Sequence, residues 1–279
     1  MRVGDFACID PSREERTGVP EVVLAEGKSV EQVASIARAM LERTGRAIVT
    51  RASPGVIRYL RKMILRGGIS GACEVHEAAQ VVVLKRDGFK PPKKAGVVGV
   101  LSAGTSDFRV AEEARVIAQE LGCRVVAAHD VGVAGVHRAF EALEKMRREG
   151  VDVYVVVAGR EGALPTLVAG MVDAPVIGVP VSTGYGIARG GRSALYAMLQ
   201  SCAPLVVVNI DAGFIAGAVA SQIARVRGRG RGAGGGGGRG SEIDSERRGR
   251  TSSARSGGRR GDPRRFGKKE KKWVEEGGS

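Results

Sequence analysis

The 279-residue sequence contains no run of 18 apolar residues, and its opening stretch, MRVGDFACIDPSREER, carries charges where a signal peptide needs an apolar centre. Membrane-spanning and secretory readings therefore fall away, and a cytoplasmic protein is expected. Cysteine is sparse as well. Cys8, Cys73, Cys123 and Cys202 stand singly with no CxxC pair, which argues against both a zinc ribbon and a disulfide framework. There is one Trp, Trp273, and it lies in a segment with almost nothing apolar around it, so it anchors no core.

Positive charge is abundant, with a formal net charge of +14. From Arg227 onward 16 Lys/Arg face 7 Asp/Glu, so most of the excess belongs to a Gly-, Arg- and Ser-rich tail. Such a segment buries too little apolar surface to offset the entropy of ordering, and residues 227–279 are expected to be disordered. The plain reading is a solvated extension; weak, salt-sensitive contact with polyanions, including RNA, is the alternative.

The chain as a whole is 43% apolar, and outside the tail it is strongly patterned. From Gly96, short apolar runs alternate with helical stretches: residues 96–104, 123–130, 151–159, 174–181 and 203–211 read as strands. The stretches between them, such as RVAEEARVIAQELG, place apolar residues at helical spacing. Near-continuous Val/Ile strands joined by helices predict a parallel sheet covered on both faces, here over residues 96–226. Residues 1–95 read as a smaller α/β domain. Its KSVEQVASIARAMLERTG opens on a capping-box pair, Ser29 and Gln32, and AIVTRAS and AQVVVLKRD flank a helix in PGVIRYLRKMI. PPKK at 91–94 reads as the linker.

In parallel α/β sheets ligands bind beyond the carboxyl ends of the strands, so the candidate site residues follow the apolar runs. GTSD offers Ser106 and Asp107 before a helix, a place that favours anions, although Ser and Asp there also serve as plain N-caps. HDVGVAGVHR supplies His129, Asp130, His137 and Arg138; a loop Asp capping the helix over a packed His137 is the simpler account. In GREGALP, Glu161 is either a base or a first-turn helix charge. VSTGYGIARGGRSA, with Gly184, reads as a glycine-rich cover.

The cysteines Cys8, Cys73 and Cys123 read as small buried hydrophobes. Cys202 falls between a helix and a strand. A helix C-terminus disfavours a thiolate by about 0.3–1 kcal/mol, whereas a cationic ligand about 4 Å away is worth about 4 kcal/mol at an effective dielectric near ~20. A cationic substrate would therefore activate a thiol that is otherwise badly placed.

Taken in order, GTSD, DVGVAGVHR, EGALP, APVIGVPVSTGYG and SCAP–VVVNID, together with DPSREERTGVPEVVLAEGK near the start, resemble the LarB family of nickel-pincer cofactor biosynthesis, over roughly residues 5–226. The main domain also resembles the aminoimidazole ribonucleotide carboxylases, or PurE proteins. The resemblance implies a flavodoxin-like three-layer sandwich on a five-stranded parallel sheet. It also implies carboxylation of the pyridinium ring of nicotinic acid adenine dinucleotide at carbon 5, with hydrolysis of the phosphoanhydride and release of AMP.

Carbon dioxide or bicarbonate would be co-substrate and magnesium the metal, held mainly by substrate phosphates with Asp107 or Asp130 as possible ligands. Cys202 becomes the nucleophile and Glu161 the base; Ser106, Asp107, Asp130, His137, Arg138, Gly159 and Gly184 become substrate contacts. A homo-oligomer, octameric by resemblance, is also implied. Two positions depart from the pattern. Arg160 stands where a neutral residue such as Met is expected, and His129 matches the purine enzymes more than LarB proteins, which keeps a purine-pathway carboxylase or mutase as the alternative.

Overall fold

The computed structural model describes residues 1–66, 70–93 and 95–233. The expectations for Trp273 and for most of the basic tail concern residues outside that set. Residues 1–234 form one compact unit.

The N-terminal part opens with a surface hairpin, β1 (Arg2–Val3) and β2 (Ala7–Cys8), then a short helix α1 (Arg13–Thr17). A four-stranded mixed sheet follows, built from β3 (Val23–Leu24), β4 (Arg46–Thr50), β5 (Gly71–His76) and β6 (Val81–Arg86), in the order β3–β4–β6–β5. Helices α2 (Val30–Thr44) and α3 (Pro54–Arg66) pack on it. The Ser29/Gln32 pair forms its capping box, satisfying two orphan N–H groups. Strand β5 has no clear apolar alternation, and only its antiparallel pairing with β6 makes it a strand.

The second part is a five-stranded parallel sheet: β7 (Gly96–Ser102), β8 (Cys123–Ala128), β9 (Val153–Ala158), β10 (Val176–Pro180) and β11 (Val206–Val207). Helices α4 (Phe108–Glu120), α5 (Val136–Arg148), α6 (Ala163–Ala169), α7 (Arg192–Leu199) and α8 (Gly213–Ala233) connect and cover it. The strand order is β8–β7–β9–β10–β11. This is the flavodoxin-like winding expected, with its switch point between β7 and β9. Separate apolar clusters fill the two faces, as a doubly covered sheet requires. The last strand, at the edge beside β10, is shorter than its apolar run.

A shared apolar cluster joins the two sheets: Ile48, Val81 and Val83 of the small sheet meet Val116, Ile117 and Leu121 of α4 and Ala218 of α8. Ion pairs reinforce it. The buried Arg46 guanidinium reaches Glu14 at 2.9 Å and the carbonyl of Glu120 at 2.6 Å, and Lys85 reaches Glu120 at 2.8 Å. Helix α8 continues past Val226 to Ala233, with Arg227 donating to the Asp152 carbonyl at 3.2 Å.

The cysteines divide. Cys123 is buried as expected, but Cys8 is exposed on the surface hairpin and Cys73 is half-buried. A two-residue strand in a hairpin has no second layer to cover it.

Candidate active site

Winding order brings the loops after β7 and β9 side by side at the switch point. Residues Thr105–Asp107 make a 3-10 turn whose last residue, Asp107, is only 3% exposed. One oxygen of Asp107 accepts the Gly104 N–H at 2.9 Å, and the carboxylate also accepts the Gly159 N–H across the crevice. Ser106 Oγ lies 3.4 Å from the other oxygen. Burial pushes the Asp107 carboxyl up, those donors pull it back, and neighbouring Glu161 adds to the rise. A Cβ on Gly159 would stand 2.9 Å from the Thr183 carbonyl and 3.2 Å from Asp107 Oδ1. Only a glycine lets the loops after β7, β9 and β10 meet so closely.

Glu161 sits on the rim of this crevice, exposed, just before α6. Arg160 beside it adopts a left-handed backbone, φ 52°, and lays its guanidinium 5.2 Å from the Tyr185 ring centroid while donating to the Tyr185 hydroxyl at 3.1 Å. Gly184 is exposed in the same cover, which Thr183 ties down through a 3.4 Å contact to the Ser106 carbonyl. The unexpected arginine is thus a latch on the glycine-rich loop.

The residues after β8 form a second group on the far side of β7. Asp130, at φ 56°, accepts from Arg138 at 2.6 Å. His137 is exposed in the first turn of α5 rather than packed beneath the loop, because the helix turns that face to solvent. His129 points inward: Nδ1 is 3.0 Å from Ser102 Oγ, Nε2 is 3.4 Å from Glu112, and Phe108 packs edge-on at 4.5 Å. The order Ser–His–carboxylate resembles a nucleophilic relay. Ser102, however, is 0% exposed, so no substrate carbonyl reaches it, and the histidine acts as a strut between sheet and helix.

Cys202 is exposed and lies in the connection that enters β11 at its amino end. Glu161 follows the carboxyl end of β9 in the same parallel sheet. By chain topology a single protomer enters β11 past Cys202 from one end of the sheet and leaves β9 toward Glu161 at the other, with Ser201, beside Cys202, meeting Thr166 of α6 at 3.0 Å. Exposed Tyr196, Leu199 and Val206 surround the sequence position of Cys202 on α7 and β11.

No group of three metal-ligating side chains occurs among the described residues. Asp107 accepts backbone N–H groups, and Asp130 accepts from Arg138. No helix among the described residues is long and apolar enough to cross a membrane.

Sequence reasoning passed over Arg51, Arg109, Glu113 and Asp211. Arg51, on the N-terminal part, donates to the Asp211 carbonyl at 3.0 Å and to Glu26 at 2.6 Å. Asp211 accepts from the Ser182 N–H at 3.0 Å and from its hydroxyl. The left-handed φ of Asp211, 57°, was the one local sign available, and it is invisible in letters.

A crevice at the switch point, floored by a buried Asp and rimmed by a carboxylate, is carried on a chain of the PurE/LarB carboxylase–mutase superfamily. Residues 97–230 match the AIR carboxylase family, and residues 1–86 match the LarB/PurE-like N-terminal domain. The chain belongs to this family in its two-domain, LarB-type form. A protein of Methanocaldococcus jannaschii is 43% identical over 78% of this chain and 84% of its own length. A probable N5-carboxyaminoimidazole ribonucleotide mutase of Methanothermobacter thermautotrophicus is 37% identical over 45% of this chain and 37% of its own. The N5-carboxyaminoimidazole ribonucleotide mutase of Aquifex aeolicus is 31% identical over 47% and 78%.

Proposed function

We propose that the protein carboxylates the pyridinium ring of nicotinic acid adenine dinucleotide at carbon 5 and hydrolyses the phosphoanhydride, giving a pyridinium-3,5-biscarboxylic acid mononucleotide and AMP. The observation that carries this reading is the N-terminal match over residues 1–86, in a part of the chain that is built into the carboxyl edge of the main sheet through Arg51 and Asp211.

The chemistry follows from electron demand. A pyridinium ring is too electron-poor to attack carbon dioxide. Addition of the Cys202 thiolate at ring carbon 4 gives a dihydropyridine whose carbon 5 is the nucleophilic end of an enamine. Carbon 5 bonds to carbon dioxide, Glu161 takes the proton from the now tetrahedral carbon, and expulsion of the thiolate restores the aromatic cation. Water cleaves the phosphoanhydride separately. Because the chain passes Cys202 on entering β11 and Glu161 on leaving β9, at opposite ends of one sheet, we infer that the thiol comes from a second copy of the chain, which fits an exposed apolar surface beside it.

A second reading, N5-carboxyaminoimidazole ribonucleotide mutase, is favoured by the names of relatives that align with the main domain. Two facts weigh against it. Those relatives cover under half of this chain, and Methanocaldococcus jannaschii has both the 43%-identical protein and a separate protein named as that mutase. Labelled bicarbonate supplied with magnesium and either the dinucleotide or aminoimidazole ribonucleotide, together with a separate incubation with carboxyl-labelled N5-carboxyaminoimidazole ribonucleotide to read migration of the carboxyl to carbon, decides. Label in a pyridinium product accompanied by AMP is expected; label entering aminoimidazole ribonucleotide alone, or migration alone, rejects the proposal.

A further inference from the structure

A pocket of about 600 Å³ opens between the two parts of the molecule, within the roughly 300–1,000 Å³ typical of small-molecule sites. Its walls come from the loop Ala25–Lys28, from Arg51 and Ser53, and from Arg109, Ser182 and Asp211 on the carboxyl edge of the main sheet. It adjoins the switch-point crevice. Arg109 follows Asp107 by two positions, and Ser182 precedes Thr183, whose hydroxyl reaches the Ser106 carbonyl at 3.4 Å.

The charges in this pocket are unevenly spent. Arg51 is held by Glu26 and the Asp211 carbonyl, and Asp211 by Ser182. Lys28 donates only to the Leu24 carbonyl at 2.9 Å, and Arg109 has no ion pair or hydrogen bond among the described residues. Glu113, one helical turn further along α4, interacts electrostatically with Arg109; it is 2% exposed, one of its oxygens lacks a hydrogen-bond partner among the described residues, and burial raises its carboxyl to about 7. A guanidinium and an ammonium lining an open pocket, with the hydroxyls of Ser53 and Ser182 beside them, suit a nucleoside monophosphate.

We propose that this pocket is the subsite for the adenylate half of the dinucleotide, with Arg109 and Lys28 holding its phosphate. The proposal rests on the dinucleotide reading above and deepens it. The N-terminal part then serves recognition of the half that leaves as AMP, while the crevice holds the half that is carboxylated.

Calorimetric titration of the full-length protein with AMP, nicotinic acid mononucleotide and inorganic phosphate tests this, using the parent, Arg109→Gln and Lys28→Ala. Lys28 is exposed, so that variant keeps its fold. AMP is expected to bind the parent more tightly than phosphate does, about tenfold more weakly to Arg109→Gln and severalfold more weakly to Lys28→Ala, with the mononucleotide unaffected. AMP binding that is absent, equal to that of phosphate, or unchanged in Lys28→Ala overturns the assignment. The two readings fail separately. A parent that binds AMP through these residues but never carboxylates the dinucleotide loses the proposed function alone, whereas turnover with AMP binding indifferent to both substitutions loses the subsite alone.

Discussion

Glu113 shows how much a single position can hold against the fold. Its carboxyl is buried beside Gly213, where a Cβ would come within 2.8 Å of Oε2, and it accepts the Phe214 N–H at the start of α8. Burial lifts it from 4.5 to about 7. The folded chain thus retains a proton that the unfolded chain has released, so this group's contribution is most favourable below about pH 4.5 and is lost as pH rises through about 7. Glu113→Gln should therefore raise the denaturation midpoint at about pH 8, by the equivalent of on the order of 2 kcal/mol, and change little near about pH 4.5. Equal shifts at both pH values in a denaturant titration would show that ionisation is not the cause. Gly159 is the complementary case, since the constraint there is space. Gly159→Ala should drive apart Asp107 and Thr183, and a crystal or solution probe of dinucleotide affinity should show loss of at least about tenfold with the fold retained.

At the level of elements, the cover between Val181 and Arg192 is held by the Arg160–Tyr185 contact and by Ser193, which donates to the Ile187 carbonyl at 2.9 Å. Cation–π contacts at exposed sites contribute about 0.5–1 kcal/mol, enough to bias a loop but not to fix it. Arg160→Ala and Tyr185→Ala are each expected to raise KM about two- to fivefold, and the double variant to do no worse than either single one. Additive losses in the double variant would mean that the two side chains act on the substrate separately. The joint between the sheets is firmer. Arg46 is buried and shared between Glu14 and Glu120, so Arg46→Ala leaves the Glu120 carbonyl without its donor and Glu120 to Lys85 alone, and should cost about 1–2 kcal/mol in chemical denaturation. Arg46→Met, which keeps volume, should recover part of that loss.

On the scale of the whole molecule, the proposed chemistry needs two copies. Within one chain the thiol enters β11 from below while the base leaves β9 above. Mixed oligomers of Cys202→Ala and Glu161→Gln, each inactive alone, should regain carboxylation when refolded together, because some sites then combine an intact thiol with an intact carboxylate. A mixture as dead as its components would place both groups in one protomer's site.

Much of this was legible in the letters. The Val/Ile runs and their helical spacers determined a parallel sheet, since hydrophobic burial on both faces needs that pattern, and the Gly-, Ser- and Asp-rich segments at the strand exits pointed to a candidate edge. The Ser29 cap was equally local and equally readable. Other features depended on contacts between distant segments. That Asp107 clasps Gly159, that Arg51 reaches Asp211 across 160 residues, that His129 is a strut, and that Cys202 and Glu161 flank opposite strand ends all follow from strand order and from how two sheets share one apolar seam. Periodicity reports which face of an element is buried. Only tertiary packing decides what lies against it.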